Sequence, residues 1–303
     1  MQVAARRKAN PPPIATMRRL LMTICFLAAL SASHAQRQSQ VELFCGVDLF
    51  YRDVNFMRLY DVLVNITPAV KWHMGRDWMF TAQGCIPVVD YGYGKVNKKV
   101  RMNMGVISKQ LHLGANQHFK FSGGFFSQQR YGLDARWMFP INSWLMVQAR
   151  AGYTGFWQMV GDATIEKPDC FTGTLGANVF LKKWNTEARL SGGRYIYEDY
   201  GVEAEVFRHF AHCSVGMFGR LHEKRTSYIQ TPHSFSGGFK VVIMIPPYKK
   251  SQKKFVVRPA SNFRTSYIAQ SDEMSMYSYA TDPEENARTN SIDVAWGTGT
   301  IDR

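Results

Sequence analysis

The sequence predicts an all-β protein, an antiparallel transmembrane β-barrel of about 12–14 strands. Three observations predict this fold: long segments alternate between apolar and polar residues, the chain starts with an export signal, and aromatic residues gather near the ends of the alternating segments. No run of 18 apolar residues follows position 35, so no membrane-spanning helix is predicted. Only helices and closed barrels satisfy every backbone group in lipid, so an exported membrane protein with this sequence would have to be a barrel.

The run WLMVQARAGYTGFW (144–157) displays the alternation clearly. One set of alternate residues is apolar and includes Leu145, Val147 and Ala149, whereas the other includes Gln148 and Arg150. Successive side chains of a strand point to opposite faces, so this strand has one apolar and one polar face. A half-buried sheet of a soluble protein would give this pattern, and so would a barrel with lipid outside and water inside. For a barrel we expect Val147→Arg to cost roughly 2–4 kcal/mol near the membrane midplane and Arg150→Gln to be mild.

Turn residues divide the alternating sequence into 14 predicted strands. They lie near 41–52, 57–66, 69–74, 78–88, 98–110, 117–127, 130–139, 143–157, 171–182, 186–197, 201–210, 213–222, 234–245 and 254–266. Many are longer than the mean soluble strand of about 5–6 residues and approach the roughly 9–11 that a tilted membrane strand needs. Aromatic residues such as Trp72, Trp78 and Trp137 lie near strand ends, as in the girdles of outer-membrane barrels.

Residues 1–35 are predicted to form an N-terminal extension and a signal peptide. MRR (17–19) is a positive start, residues 20–30 are apolar, and SHA (33–35) is a small-x-small signal for cleavage near Ala35/Gln36. Residues 1–16 do not fit a signal peptide, which favours Met17 over Met1 as the start. Export places the predicted barrel in the outer membrane of a Gram-negative bacterium.

Charge divides the rest of the chain into two domains. The first 35 residues hold five bases and no acids, which leaves +9 of the total +14 on the mature chain. Residues 271–303 hold seven acids and two bases and are predicted to form an acidic, flexible C-terminal tail. Residues 36–270, the predicted outer-membrane β-barrel, then carry +14. A hypothesis that follows is that the tail docks on the barrel mouth and screens it.

The alternation also predicts which polar residues line the barrel lumen. The candidates are Arg101, Lys109, Lys120, Asp134, Arg136, Gln148, Arg150, Glu187, Arg189, Glu203 and Glu205. A second feature is the basic run YKKSQKK (248–254), which contributes Lys249, Lys250, Lys253 and Lys254. This run is either a solvated loop or a patch for phosphorylated headgroups or an acidic polysaccharide.

Other motifs favour structural roles over chemistry. The pairs in FSGGFF (121–126), LSGGRY (190–195) and FSGGFK (235–240) lie within alternating runs, where glycine marks a bend or a close backbone approach. RHFAHC (208–213) places His209 and His212 on opposite faces of a strand, so neither a metal site nor a cofactor is predicted. No catalytic signature is visible, and the chain is predicted not to be an enzyme. The cysteines Cys45, Cys85, Cys170 and Cys213 either form disulfides or remain as thiols.

Three segments of the chain resemble the YjbH family of exopolysaccharide-associated outer-membrane β-barrel proteins, in a short Bacteroidetes-type form. They are VDLFYRDVNFMRLYDVLVNITPAVKWHMG (47–75), HFKFSGGFFSQQRYGLDARWMF (118–139) and FRHFAHCSVGMFGR (207–220). The resemblance implies a barrel that assists export or assembly of a surface exopolysaccharide or capsule. It supplies no active-site residues. Proteobacterial members of the family are much longer, and many outer-membrane barrels end on an aromatic-terminated last strand, whereas this chain ends Ile301-Asp302-Arg303.

These observations predict a non-enzymatic barrel whose partners are outer-membrane lipid, an acidic polysaccharide and other export proteins, with no nucleic acid. Two alternatives remain open: a general small-solute, porin-like barrel, and a soluble periplasmic β-sandwich that binds glycans. Loss of capsule in a deletion strain favours the export role, whereas a detergent-free, water-soluble monomer would favour the sandwich.

Overall fold

The computed structural model describes residues 39–53, 61–75, 77–91, 99–113, 117–127, 129–160, 163–196, 198–222, 235–248, 251, 253–269 and 279–285. The strands in chain order are β1 (Gln40–Asp53), β2 (Asp61–Gly75), β3 (Trp78–Tyr91), β4 (Arg101–Leu113), β5 (Gln117–Phe125), β6 (Arg130–Pro140), β7 (Leu145–Val160), β8 (Ala163–Leu181), β9 (Thr186–Arg194), β10 (Tyr200–His209), β11 (Cys213–His222), β12 (Phe235–Met244), β13 (Phe255–Pro259) and β14 (Asn262–Ala269). A 3₁₀ turn, Lys182–Trp184, joins β8 to β9. The all-β prediction is confirmed.

The strands form one sheet that closes on itself. Each strand from β1 to β12 pairs antiparallel with the next, and β12 pairs antiparallel with β14. The barrel closes where β1 runs parallel to β13 over Val41–Cys45 and parallel to β14 over Asp48–Asp53. Because β13 and β14 follow each other along one edge of β1, the wall has 13 positions. An odd number of positions requires one parallel pair, so the predicted antiparallel barrel contains a parallel seam.

The two faces of the sheet differ sharply in chemistry. On β2 the outer face carries Val62, Val64, Ile66, Val70 and Trp72, and the inner face carries Asn65, Thr67 and Lys71. The same division recurs around the barrel because side chains alternate along every strand. Buried apolar residues form small clusters inside it, such as Phe44 with Ala69 and Ala260. The interior is therefore mainly polar and charged.

The barrel has two ends, defined here by β1, which begins at the first end and finishes at the second. Exposed aromatic side chains occur at both. Trp72, Trp144, Trp184, Phe210, Tyr248 and Phe255 lie at the first end, and Tyr91, Trp157, Tyr200 and Phe235 lie at the second. Between consecutive strands, five of the six connections at the first end contain four residues or fewer, whereas connections at the second end reach twelve.

Several predicted strand boundaries were wrong. Residues 57–66 and 69–74 were predicted as two strands, but β2 continues through Pro68. The residues on either side of Pro68 remain paired with β1. On the β3 side, the pairing is interrupted between Ile66 and Ala69. A proline is tolerated where its missing N–H is not needed by the ladder. The predicted strand 254–266 is two strands, separated at Ala260 and Ser261. β8 begins at Ala163, eight residues earlier than predicted.

The two-sheet sandwich kept as an alternative is not formed, because one sheet closes into a barrel. The structural interpretation of the glycine pairs is confirmed, since all three lie within strands. A Cβ on Gly193 would lie 1.9 Å from the carbonyl oxygen of Gly173, and one on Gly238 would lie 1.9 Å from that of Tyr267. These glycines allow neighbouring backbones to approach closely.

The predicted extension and signal peptide, residues 1–35, lie outside the described residues, as do Lys249 and Lys250. No disulfide joins Cys45, Cys85, Cys170 and Cys213. Within the described part of the chain, no helix has the length and apolar character needed to cross a membrane.

Candidate functional site in the barrel lumen

Residues 279–285, which we call the lumen segment, cross the interior of the barrel. Seven basic wall residues contact the lumen segment: Lys71, Lys120, Arg130, Arg136, Arg150, Arg258 and Arg264. They belong to β2, β5, β6, β7, β13 and β14, so the contacts are spread along one arc of the ring, from β13 and β14 through β2 to β7. The tail was predicted to be flexible and to dock at the mouth. This part of it is held inside the lumen, and the other residues of 271–303 lie outside the described residues.

Tyr279 anchors one end of the lumen segment. Two guanidinium groups contact its ring, with the Arg150 Cζ atom 3.8 Å and the Arg130 Cζ atom 4.5 Å from the ring centroid. The hydroxyl donates a hydrogen bond to Asp134 Oδ1 at 2.6 Å, and the ring stacks on Phe126 at 5.3 Å. Cation–π contacts of this kind are stronger where the groups are desolvated, and Tyr279 is only 9% exposed.

The wall around Tyr279 is shaped to receive it. Met104, Val106 and Phe126 form a buried apolar cluster with Tyr279. Gly152 leaves the space that the hydroxyl occupies, since a Cβ there would lie 2.8 Å from the Tyr279 oxygen. Arg130, Arg150 and Asp134 form what we call the clamp around Tyr279. Within it, the Arg150 Nε donates to Asp134 Oδ1 at 2.6 Å, and the terminal nitrogens of Arg150 donate to the Tyr279 carbonyl oxygen. This resolves why Arg150 is tolerated in an otherwise apolar run.

Glu284 anchors the other end. Arg258 holds its carboxylate with two hydrogen bonds, Nη1 to Oε1 at 2.6 Å and Nη2 to Oε2 at 2.7 Å. The Ser261 amide also donates to Oε1 at 2.7 Å, and Lys71 Nζ lies 3.1 Å from Oε2. Two parallel bonds from one guanidinium fix both the position and the orientation of a carboxylate. The groups around Glu284 therefore form a carboxylate-binding site.

The residues between the anchors are also held by charge. Lys71 Nζ lies 3.0 Å from Asp282 Oδ1, and Lys120 Nζ donates to Thr281 Oγ1 at 2.9 Å. Arg136 Nη1 donates to Glu285 Oε1 at 2.6 Å. Arg264 donates to two carbonyl oxygens of the segment, those of Pro283 at 2.8 Å and Glu285 at 2.5 Å. Each acid of the segment thus has a basic partner on the wall.

The surroundings shift the acidity of the segment's own groups. Burial alone would raise the pKa of Glu285, but the charges of Arg136, Lys120 and Arg150 outweigh burial and lower that pKa to about 2. Burial likewise opposes ionisation of Glu284 and Asp282, yet their basic partners hold the pKa of each below its ordinary value. Burial raises the pKa of Tyr279 to about 12. All three carboxylates are ionised at neutral pH.

The other side of the lumen compensates its own charges. Glu205 pairs with Arg189 and Lys240, and Arg220 Nε lies 2.5 Å from Glu203 Oε2. Glu187, fully buried, accepts from Asn178 at 3.1 Å and from Arg189 at 2.8 Å and is also hydrogen bonded to His209 at 3.1 Å. These residues belong to β8–β12, and their acids and bases balance. The excess of basic residues is confined to the side that the lumen segment covers.

Most sequence-predicted lumen residues have their side chains on the inner face. These are Arg101, Lys120, Asp134, Arg136, Gln148, Arg150, Glu187, Arg189, Glu203 and Glu205. Lys109 does not: it is paired with Trp78 and Phe121, which lie on the outer face, and its Nζ is 5.0 Å from the Trp78 ring centroid. The reason is a bulge in β4, where Gln83 pairs with Met104 but Gly84 pairs with Met102, so the faces exchange between Arg101 and Lys109.

Sequence reasoning missed several lumen residues. Lys71, Arg258 and Arg264 were not identified, although each occupies an alternate position opposite apolar neighbours. Lys71 was hidden because the predicted strand was divided near Pro68. The lumen segment itself was visible only as a cluster of acids in a polar tail, complementary in sign to the body of the chain.

The remaining predicted features lie outside the lumen site. Lys253 and Lys254 are exposed, and Tyr248 stacks on His212 with ring centroids 4.3 Å apart. His209 lies on the inner face and is hydrogen bonded to Ser214. Across the described ranges, no group of three or more potential metal ligands is present.

No family model, curated protein or solved structure matches this chain. The resemblance to the YjbH family therefore stays a prediction.

Proposed function

We propose that this chain is an outer-membrane β-barrel of a Gram-negative bacterium that assists export or assembly of a surface exopolysaccharide or capsule. The single observation that carries the proposal is the chemistry of the two faces: an apolar outer face flanked by aromatic residues and an inner face rich in charge. Lipid suits the first and water the second, as in known membrane barrels. The predicted signal peptide supports export from the cytoplasm.

The basic side of the lumen supports the polysaccharide role. Seven bases line the path crossed by the lumen segment, and guanidinium groups bind carboxylates in a fixed geometry. Many surface polysaccharides owe their negative charge to such groups. The exposed Lys253 and Lys254 at the first end would attract the same polymer or phosphorylated headgroups. Partner proteins of an export system complete the proposal, which assigns the chain no catalytic step.

The short connections at the first end support an orientation. In bacterial barrels short turns face the periplasm and longer loops face outward. The first end would then receive material from the periplasm, and the second end would open to the cell surface. Cysteine labelling with an impermeant reagent tests this orientation: a cysteine in the β11–β12 connection should react on intact cells, and one in the β2–β3 turn should not.

Two experiments test the membrane assignment and the export role separately. The mature chain should remain with membranes after an alkaline wash, and its gel mobility should differ between unheated and boiled samples. A water-soluble monomer obtained without detergent would refute the membrane assignment. Deletion of the gene should abolish the surface polysaccharide, and expression in trans should restore it.

A general small-solute pore is the second candidate, because the lumen is mainly polar and charged. It predicts slow growth of the deletion strain on nutrients that must diffuse across the outer membrane, with the surface polysaccharide intact. The lumen segment argues against it, since a general pore requires an open passage.

A further inference from the structure

We infer that the basic wall beneath the lumen segment is a binding site for an extended, carboxylate-bearing glycan, and that the lumen segment occupies this site as an internal competitor. The inference deepens the proposed function and rests on it for the identity of the polymer as a glycan. It names the ligand class as acidic, of the uronate type, instead of neutral or phosphate-bearing.

The wall around the lumen segment carries more bases than acids. Seven basic residues contact the segment. Three wall acids lie beside these bases: Asp134 is bonded to Tyr279 and Arg150, Glu42 is bonded to Arg258, and Asp48 is paired with Arg264 in the sheet. On the opposite side of the lumen, three bases (Arg189, Arg220 and Lys240) face three acids (Glu187, Glu203 and Glu205). Removing the lumen segment would therefore expose uncompensated positive charge on one side. Buried charge of this kind is costly unless an anion replaces it.

The carboxylates of the lumen segment are bound at separate points of the wall. Asp282, Glu284 and Glu285 are bound by bases on different strands, namely Lys71 on β2, Arg258 on β13 and Arg136 on β6. The site therefore accepts several carboxylates along one chain, which a repeating acidic polymer offers and a single small anion does not. The bidentate contact at Arg258 specifies a planar carboxylate.

The ring of Tyr279 is bound at the opposite end of the lumen segment from Glu284. It fills a slot formed by Arg130, Arg150 and Phe126. When the tyrosine leaves, this slot offers an aromatic face and two guanidinium groups, which suit a sugar ring carrying a carboxylate. A polymer that supplies rings and carboxylates in alternation would match both anchors at once.

The lumen segment is suited to be displaced. It joins no strand of the barrel, and the wall holds it by hydrogen bonds to its side chains and to backbone groups such as the Tyr279 and Pro283 carbonyl oxygens. It is tethered to β14 through residues 270–278, so it rebinds from a high effective concentration. With an internal competitor, the apparent affinity for an external ligand equals the intrinsic affinity multiplied by the fraction of time that the site is free.

The test compares two triple variants of the full-length mature chain. The first, Asp282→Asn with Glu284→Gln and Glu285→Gln, removes the carboxylates of the lumen segment. The matched control, Asp272→Asn with Glu273→Gln and Asp293→Asn, makes the same change in charge elsewhere in the tail. A third variant, Tyr279→Ala, releases the other anchor without altering charge. Heat-modifiable mobility verifies that each variant forms a barrel.

The probe is a fluorescent decamer of galacturonate, with a neutral maltodextrin of equal length as the comparison ligand. We expect the lumen-segment variants to bind the decamer about tenfold more tightly than the control, as follows if the segment occupies the site about nine-tenths of the time. The control should bind like the unaltered chain, and the maltodextrin should show no difference. Equal decamer affinity in all variants, or equal gains for the maltodextrin, would overturn the inference.

Failure of the proposed function is distinguishable from failure of this inference. One outcome is that the lumen-segment variants bind the decamer tenfold more tightly while the surface polysaccharide stays intact after gene deletion. This outcome would refute the export role and leave the binding site in place. Loss of polysaccharide without any difference in decamer binding would do the reverse.

Discussion

A single arginine on the outer face gives the sharpest test of the two-solvent barrel. Ala151 is exposed on the outer face of β7, seven residues after Trp144 and six before Trp157, both of which are exposed aromatics at opposite ends. With a rise of about 3.3 Å per residue and a tilt near 40°, Ala151 would lie roughly 15–18 Å from either tryptophan along the normal of a membrane that the barrel spans. It would therefore be close to the midplane, whereas Val147 would lie only roughly 8 Å from Trp144.

We expect Ala151→Arg to destabilise the barrel by about 2–4 kcal/mol and Val147→Arg by about 0–1 kcal/mol. The difference arises because an arginine at position 147 can extend its head group to the interface, and one at position 151 cannot. The sequence-based expectation gave Val147→Arg the larger cost only for a position near the midplane, and the strand bounds place Ala151 nearer the midplane than Val147. Ala151→Leu, which keeps the face apolar, serves as the control and should leave stability within about 0.5 kcal/mol.

The measurement is equilibrium unfolding by urea in lipid vesicles, followed by tryptophan fluorescence. Equal costs for the two arginine variants would refute the depth assignment. A cost below about 0.5 kcal/mol for both would mean that water covers the outer face, as it does for ordinary surface substitutions, and would refute the membrane barrel itself.

The other predictions concern the lumen. Arg150→Gln should cost about 3–5 kcal/mol in the same unfolding assay, since it leaves the buried Asp134 carboxylate without its close guanidinium partner; the mild effect expected from sequence alone would contradict the clamp. Gly152→Val should displace Tyr279, measured as faster proteolysis after residue 279 in folded barrels, because even a Cβ at that position lies 2.8 Å from the hydroxyl oxygen; unchanged proteolysis would count against the fit. Docking of the lumen segment should persist above the ordinary carboxylate pKa near 4.5 and weaken as the pH falls toward 2, because the basic groups facing Glu285 (Arg136, Lys120, Arg150 and Arg264) favour its ionised form; protease protection that is constant from pH 5 to pH 2 would refute this. Raising the salt to about 1 M should change protection little if the ion pairs are as desolvated as their burial indicates, whereas release of the segment by salt alone would place its contacts in bulk solvent.

The faces of most strands could be predicted from sequence because alternation is regular where no residue is inserted. β6, β7, β9 and β10 carry Asp134, Arg150, Arg189 and Glu205 on the inner face for this reason. β4 is the exception. One additional residue near Asn103 exchanges the faces, and no local signal in RMNMGVISKQL marks the bulge.

The lumen segment could not be predicted from periodicity, since it belongs to no strand or helix. Its position depends on long-range charge complementarity between residues about 150–210 positions apart along the chain, such as Lys71 with Glu284 and Arg136 with Glu285. The acidic tail and the basic body were both evident in the sequence. Which carboxylate meets which base depends on where the barrel closes, and that is a property of the whole fold.

The odd number of wall positions links the closure of the barrel to the position of the lumen segment. Because β14 runs parallel to β1, the chain leaves the wall at the second end, where β5 also finishes. There the Ala280 amide donates to Ser127 Oγ at 2.7 Å before the chain descends toward Arg258 on β13. With an even number of positions, the last strand would run in the opposite direction and deliver the tail to the first end. In the proposed orientation the segment therefore enters the lumen from the cell surface and reaches Arg258 with Glu284, so a polymer arriving from the periplasm would meet the Arg258 contact before it meets Tyr279.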